Sequence, residues 1–126
     1  MIKLVFCLRR RPDLTREAFQ RYWLETHAPL VRERAAAIGV LRYVQVHTAE
    51  DALGEALAAS RGAPEPFDGV AELWFADAEA LAAAVGNEAG QKAGAELLAD
   101  ERGFIDLARS PIFLAHEHEI VPGAGR

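Results

Sequence analysis

The chain has 126 residues, 51% of them apolar and 26% charged, with a formal net charge of −5 and one cysteine. That length predicts a single domain over residues 1–121 with a short flexible tail at 122–126. Acidic residues spread along the chain argue against a nucleic-acid partner, and a lone Cys7 excludes an intrachain disulfide or thiolate metal cluster; with no membrane-length apolar run and no secretory-signal pattern, the expectation is a cytoplasmic protein with no membrane partner.

Residues 2 to 8 alternate as a strand, with Ile2, Leu4, Phe6 and Leu8 on one face and Lys3, Val5 and Cys7 on the other. The Arg9-Arg10-Arg11 triplet that follows reads as a solvated loop or an anion-binding corner. Pro12 stops the strand, and Thr15 offers an N-cap to a helix whose Phe19, Tyr22, Trp23, Thr26 and Leu30 recur at helical spacing. Pro29 disfavours helical geometry at Ala28, predicting a kink or restart there and a second piece to about Ala37, ended by Gly39. Leu41 to Thr48 alternates as a second strand, with Tyr43, Gln45 and His47 on one face. An Ala- and Leu-rich helix is expected over residues 50 to 60, then a turn-rich linker to Pro66. Residues 69 to 76 form a third strand, Asp77 caps an Ala-rich helix through Val85, a glycine-weakened stretch runs to Leu98, and Pro111 to Val121 is a fourth strand. The order strand, helix, strand, strand, helix, strand is the split βαβ pattern: an α+β, ferredoxin-like fold whose helices cover one face of an antiparallel sheet. The other face, read as carrying Val5, Tyr43, Val70 and Trp74, then needs a second copy or a ligand against it.

The opening strand, the Arg-Arg-Pro-Asp-Leu-Thr turn and the Phe19, Tyr22, Trp23, His27, Ala28, Pro29, Leu30 series make the chain resemble EthD-domain proteins, of the dimeric α/β-barrel superfamily. Tyr43, Gln45, His47, the run Asp68 to Phe75 and the Asp100 to Asp106 segment with Phe104 extend the likeness to Ile2–Val121. The resemblance implies a homodimer whose two sheets face each other around an internal cavity. Relatives with that architecture include cofactor-independent monooxygenases, cyclases of polyketide-like aromatics, lactone isomerases and haem-binding enzymes. The fold alone does not choose among them.

Candidate catalytic residues are His27, Tyr43, His47 and Glu72; candidate substrate contacts are Tyr22, Trp23, Gln45 and Trp74. His27, one turn after Trp23, has the chemistry of a general base near neutral pH, against which stands a role satisfying backbone groups at the kink. Tyr43, Gln45 and His47 from one strand, with Glu72 and Trp74 from its neighbour, would give acid, base, orienting carboxylate and stacking surface on one wall; the competing reading is that they solvate a dimer interface. His116 and His118 have metal-holding spacing but no third ligand, and charged protection of an edge strand explains them equally, so no metal site is assigned. No phosphate loop, nucleophile elbow, dinucleotide fingerprint or haem-attachment motif is present, and no cofactor is expected. Two function classes follow: an oxidoreductase or cyclase acting without cofactor on a small aromatic or polyketide-like compound, or a non-catalytic binding or stress-related accessory protein.

Overall fold

The computed structural model describes residues 1–124. The elements in chain order are β1 (Ile2–Leu8), α1 (Arg16–Tyr22), a π-helical turn (Trp23–His27), α2 (Ala28–Arg34), β2 (Arg42–His47), α3 (Ala52–Ser60), β3 (Gly69–Phe75), α4 (Ala78–Gly86), α5 (Glu88–Glu101), a single 3₁₀ turn (Leu107–Arg109) and β4 (Ile112–Ala115). The strands make one antiparallel sheet in the order β2-β3-β1-β4, the ferredoxin-like arrangement. No helix among the described residues is long and apolar enough to cross a membrane.

The helix starts follow from side-chain caps. Thr15, Asp77 and Asn87 each accept a hydrogen bond from a first-turn amide of α1, α4 and α5, and Asp51 does the same for α3. Gly39 closes the turn after α2 with φ +75°, where a Cβ would be strained. The restart expected at Ala28 is present as the change from the π turn to α2, whose end at Arg34 falls short of the expected Ala37. The helix passes through Pro29 because the proline sits at the start of α2, where its missing N–H removes little, and the adjustment appears upstream as the π turn.

The core gathers where β1 and β3 meet α1 and the π turn: Leu8, Phe19, Trp23, Ala71, Phe104 and Ile105 are all buried. Phe19 lies with its ring centre 5.7 Å from Trp23 and 5.5 Å from Phe104. Trp23 packs closely against the start of β3 because residue 69 is glycine; a Cβ there would overlap the indole. Asp68, just before β3, ties this end together. Its carboxylate accepts from Arg10 at 2.6 Å and Arg16 at 2.9 Å, while Gln20 donates to its backbone carbonyl. These contacts hold its pKa below the ordinary value despite burial. Arg10 is therefore a structural ion pair rather than part of an anion-binding corner.

The fourth strand is shorter than the expected 111–121, ending at Ala115. Beyond it the chain leaves the sheet and crosses over Trp74, where Glu117 accepts from the indole N–H at 2.6 Å and meets Lys3 at 3.4 Å. His116 and His118 thus lie outside any strand and lose the common face that made them a candidate pair; among the described residues no group of three His, Cys, Asp or Glu side chains could hold a metal. Of the tail expected at 122–126, Gly125 and Arg126 lie outside the described residues.

Candidate active site

Between the helices and the sheet lies a cavity of about 410 Å³. Its cause is a gradient in side-chain size. At the α1 end, Phe19, Trp23 and Phe104 fill the space; at the α4–α5 end, Ala84, Gly90 and Gly94 stand among the larger Leu81, Val85, Gln91 and Leu97 and leave room above the sheet. Leu4, Phe6, Leu8, Ala71, Leu73 and Phe75 form its floor, and His27, Tyr43 and Glu101 are the titratable groups in its wall.

His27 is placed by the π turn. It is 4% exposed, packs with its ring centre 5.0 Å from Phe104, and its Nδ1 lies 2.7 Å from Oδ2 of Asp100. A carboxylate oxygen only accepts, so Nδ1 carries the proton and Nε2 presents a lone pair. Burial lowers the His27 pKa, partly opposed by the Asp100 contact, and so favours the neutral imidazole with its Nε2 lone pair. The other oxygen of Asp100 accepts from the Tyr22 hydroxyl at 2.5 Å, and this bond together with burial pushes that phenol up to about 12. Asp100 is therefore an orienter clamped by Tyr22, and His27 is the group it orients.

Glu101, the next residue, points into the cavity. Burial among apolar groups, with the neighbouring Asp100 adding repulsion, raises its pKa from 4.5 to about 7. A carboxyl group poised near neutral pH in an apolar cleft is the signature of a proton-transfer residue. Sequence reasoning missed both Asp100 and Glu101. The signal available was the helical stripe Gly90, Gly94, Leu97, Glu101, which places a carboxylate on the same face as a buried leucine.

Tyr43 lines the same cavity from β2, its pKa raised by burial, with Glu101 adding to it. Its oxygen accepts from Gln45 Nε2 at 2.9 Å, and the same amide nitrogen donates to the Trp23 carbonyl at 2.9 Å. Those two bonds fix the amide, leaving Gln45 Oε1 to accept from His47 Nε2 at 2.8 Å. The chain His47, Gln45, Tyr43 thus leaves the phenol's own proton free to donate.

The single wall expected from Tyr43, Gln45, His47, Glu72 and Trp74 does not exist. In the β2–β3 register Tyr43 pairs with Leu73 and Gln45 with Ala71, whereas Glu72 faces Val44 and Trp74 faces Arg42. Paired residues share a face, so Tyr43 lies under the helices and Glu72 and Trp74 lie on the opposite side of the sheet. There Glu72 binds Lys3 at 2.9 Å, and Trp74 is sandwiched between the charged groups of Lys3 and Arg42, 4.9 and 4.4 Å from its ring. Tyr43 likewise leaves the open face on which the alternation placed it. His47 stacks on Trp23 with ring centres 4.5 Å apart and borders a shallower hollow with Leu24, Ala28, Tyr43 and Gln45, not the main cavity. Of the expected substrate contacts, Trp23 lines the cavity, Gln45 supports Tyr43, which also lines it, and Tyr22 holds Asp100 outside the lining. The cavity itself lies on the helix side of the sheet and is lined by residues of this single chain.

A ferredoxin-like α+β chain with an oriented histidine and a neutral-range carboxyl in an apolar helix-side cavity defines the class of protein. More particularly, the chain belongs to the EthD domain family, whose model matches residues 11–108. Solved structures share the fold at low identity. An ethyl tert-butyl ether D (EthD) family protein from Bacillus halodurans is 19% identical, with 94% of this chain and 99% of that one covered at a TM-score of 0.59. SnoaB, a cofactor-independent oxygenase from Streptomyces nogalater, is 13% identical, with 97% of each chain covered at a TM-score of 0.56. A dimeric ferredoxin-like protein of unknown function from Thermobifida fusca is 16% identical, covering 90% of this chain and 88% of that one at a TM-score of 0.53. No curated protein matches the sequence.

Proposed function

We propose that this protein is an acid–base catalyst that removes a proton from an activated C–H or O–H group of a small, largely apolar, oxygenated molecule bound between its sheet and helices. The observation that carries the reading is the presence of His27, held by Asp100, and Glu101, with a pKa of about 7, in the wall of one apolar cavity. His27 Nε2 takes the proton, Tyr43 donates to the oxygen on which charge develops, and Glu101 returns or relays a proton near neutral pH. The step needs only this chain's own groups. It is the opening step shared by ring closure of polyketide-like carbanions and by oxygenation in which a carbanion itself reduces dioxygen, which accords with the likeness to a cofactor-independent oxygenase. The active species in this reading is a homodimer joined through the sheet face away from the helices, where Val46 and Phe113 are 45% and 50% exposed.

The competing reading is a non-catalytic carrier, favoured by the mostly aliphatic lining of the cavity. Deuterium exchange into 2-tetralone, an apolar ketone with acidic C–H bonds, separates the two by proton NMR. The catalyst should exceed the buffer rate, and His27→Ala should lose on the order of 10² to 10⁴ of that rate while still unfolding cooperatively. Binding without exchange would assign the protein to the carrier class; equal exchange in parent and variant would remove His27 from the mechanism.

A further inference from the structure

The inner face of α5 runs Gly90, Gly94, Leu97, Glu101, all on the cavity wall. That stripe spans about 16 Å along the helix axis. Its polar end holds Glu101, close enough to Tyr43 to raise that phenol's pKa, and the same wall carries His27, which is 4% exposed and has spent only Nδ1 on a protein partner. Its other end opens to solvent where Val85 is 63% exposed and Gln91 and Gly94 are exposed. The titratable groups able to meet an oxygenated head are therefore deep, and the way out is lined by small and aliphatic residues with the neutral amide of Gln91 at the mouth.

Gly94 stands out on energetic grounds. A glycine inside a helix is unfavourable relative to alanine, and a Cβ added here would meet no heavy atom within 4 Å, unlike Gly90, where it would overlap the Ala84 carbonyl. No protein contact requires the missing side chain at residue 94, yet its absence keeps the cavity open. We infer that the cavity takes an elongated amphipathic ligand, an oxygenated ring with an apolar tail, and that Gly94 sets the length of tail it accepts. This rests on the acid–base reading for the head group and adds the direction and size of the rest of the molecule.

Displacement of the fluorescent apolar probe 1-N-phenylnaphthylamine by 4-alkylphenols from methyl to octyl tests it on the intact chain. In the parent, affinity should climb by about fourfold for each methylene. In Gly94→Phe the short phenols should compete within about twofold of the parent, and the climb should stop several methylenes earlier. Gly94→Ala adds one methyl group into free space and keeps the test decisive should the aromatic variant fold poorly: it should raise the melting temperature and weaken only the longest tails. Parallel climbs in parent and variants would overturn the role of Gly94 while leaving the acid–base site standing. Probe binding that no alkylphenol displaces would overturn the head-and-tail ligand alone. Failure of the probe itself to bind the parent would overturn the cavity reading on which both proposals rest.

Discussion

Asp100 receives two donors, the Nδ1–H of His27 and the hydroxyl of Tyr22, and an amide in its place cannot accept from both. Asp100→Asn should turn its NH₂ toward one of them. Facing His27, it would donate to Nδ1 and move the imidazole proton to Nε2, the nitrogen needed as base. Exchange activity at neutral pH should fall by on the order of 10² to 10⁴ in this variant. Tyr22→Phe removes only the second bond and should cost about 1 kcal/mol of stability with a rate close to the parent's. Similar rates in Asp100→Asn and the parent would show that tautomer control is not its role. Glu101 makes a separate prediction through linkage. Its folded pKa, about 7, lies above the unfolded value of 4.5, so its neutral form is favoured by folding: the contribution is full below pH 4.5 and is lost as pH rises through 7. Glu101→Gln keeps the neutral shape at every pH. The stability of the variant relative to the parent should therefore increase between pH 4.5 and 7 and level off above it, by on the order of 3 kcal/mol. His27 acts oppositely in the parent, its lowered pKa withdrawing stability as pH falls below its ordinary 6.5. Urea melts of both proteins from pH 4 to 8 read the difference directly, and a flat difference would place Glu101 in water.

At the scale of elements, the π turn Trp23–His27 decides which way the His27 side chain faces. A π turn carries one residue more than an α-helical path, and that extra residue lets Trp23 reach the core while His27 still meets Asp100. Deleting Leu24, which is 57% exposed, should restore α-helical spacing and rotate one of the two out of place by about 100°. Helical circular dichroism should persist while exchange activity is lost; a variant that kept parental activity and melting temperature would show that the turn positions nothing. Pro29 made the restart at Ala28 legible in the sequence, but not the π turn before it, which depends on the tertiary partners of Trp23 and His27. The alternation within each strand was legible, as were the helix starts at Thr15 and Asp77, since both arise from local chemistry. Which face of β2 joined which face of β3 was not. That depends on pairing register, and a slip of one residue moves every side chain across the sheet, which is how Tyr43 and Trp74 came to be grouped together. Asp100 and Glu101 were hidden for a related reason: their chemistry comes from tertiary neighbours, His27, Tyr22 and Tyr43, that lie far away in sequence.

For the whole molecule, the question is what covers the sheet face opposite the helices. In the observed register that face carries Val5, Val44, Val46, Val70 and Phe113, flanked by the Lys3–Glu72–Glu117 ion pairs and the Arg42–Trp74 stack. An apolar strip with charged groups at its margin has the core-and-rim composition of a protein interface, and a valine-rich face left in water would be costly. Two copies packed through it would each bring the same strip, so a substitution at its centre acts twice. Phe113→Asp should therefore shift the protein from dimer to monomer at micromolar concentration in sedimentation velocity. Because Phe113 is 50% exposed within a single chain, its loss should leave the melting temperature of the monomer little affected by lost core packing. The cavity gives a second readout. The lining residues of this chain lie on the far side of the sheet from Phe113, so 1-N-phenylnaphthylamine should bind the monomeric variant within about twofold of the parent. A parent that sediments as a monomer would remove the dimer from the proposal. Dissociation accompanied by loss of probe binding would instead mean that the second copy braces the sheet floor beneath the ligand.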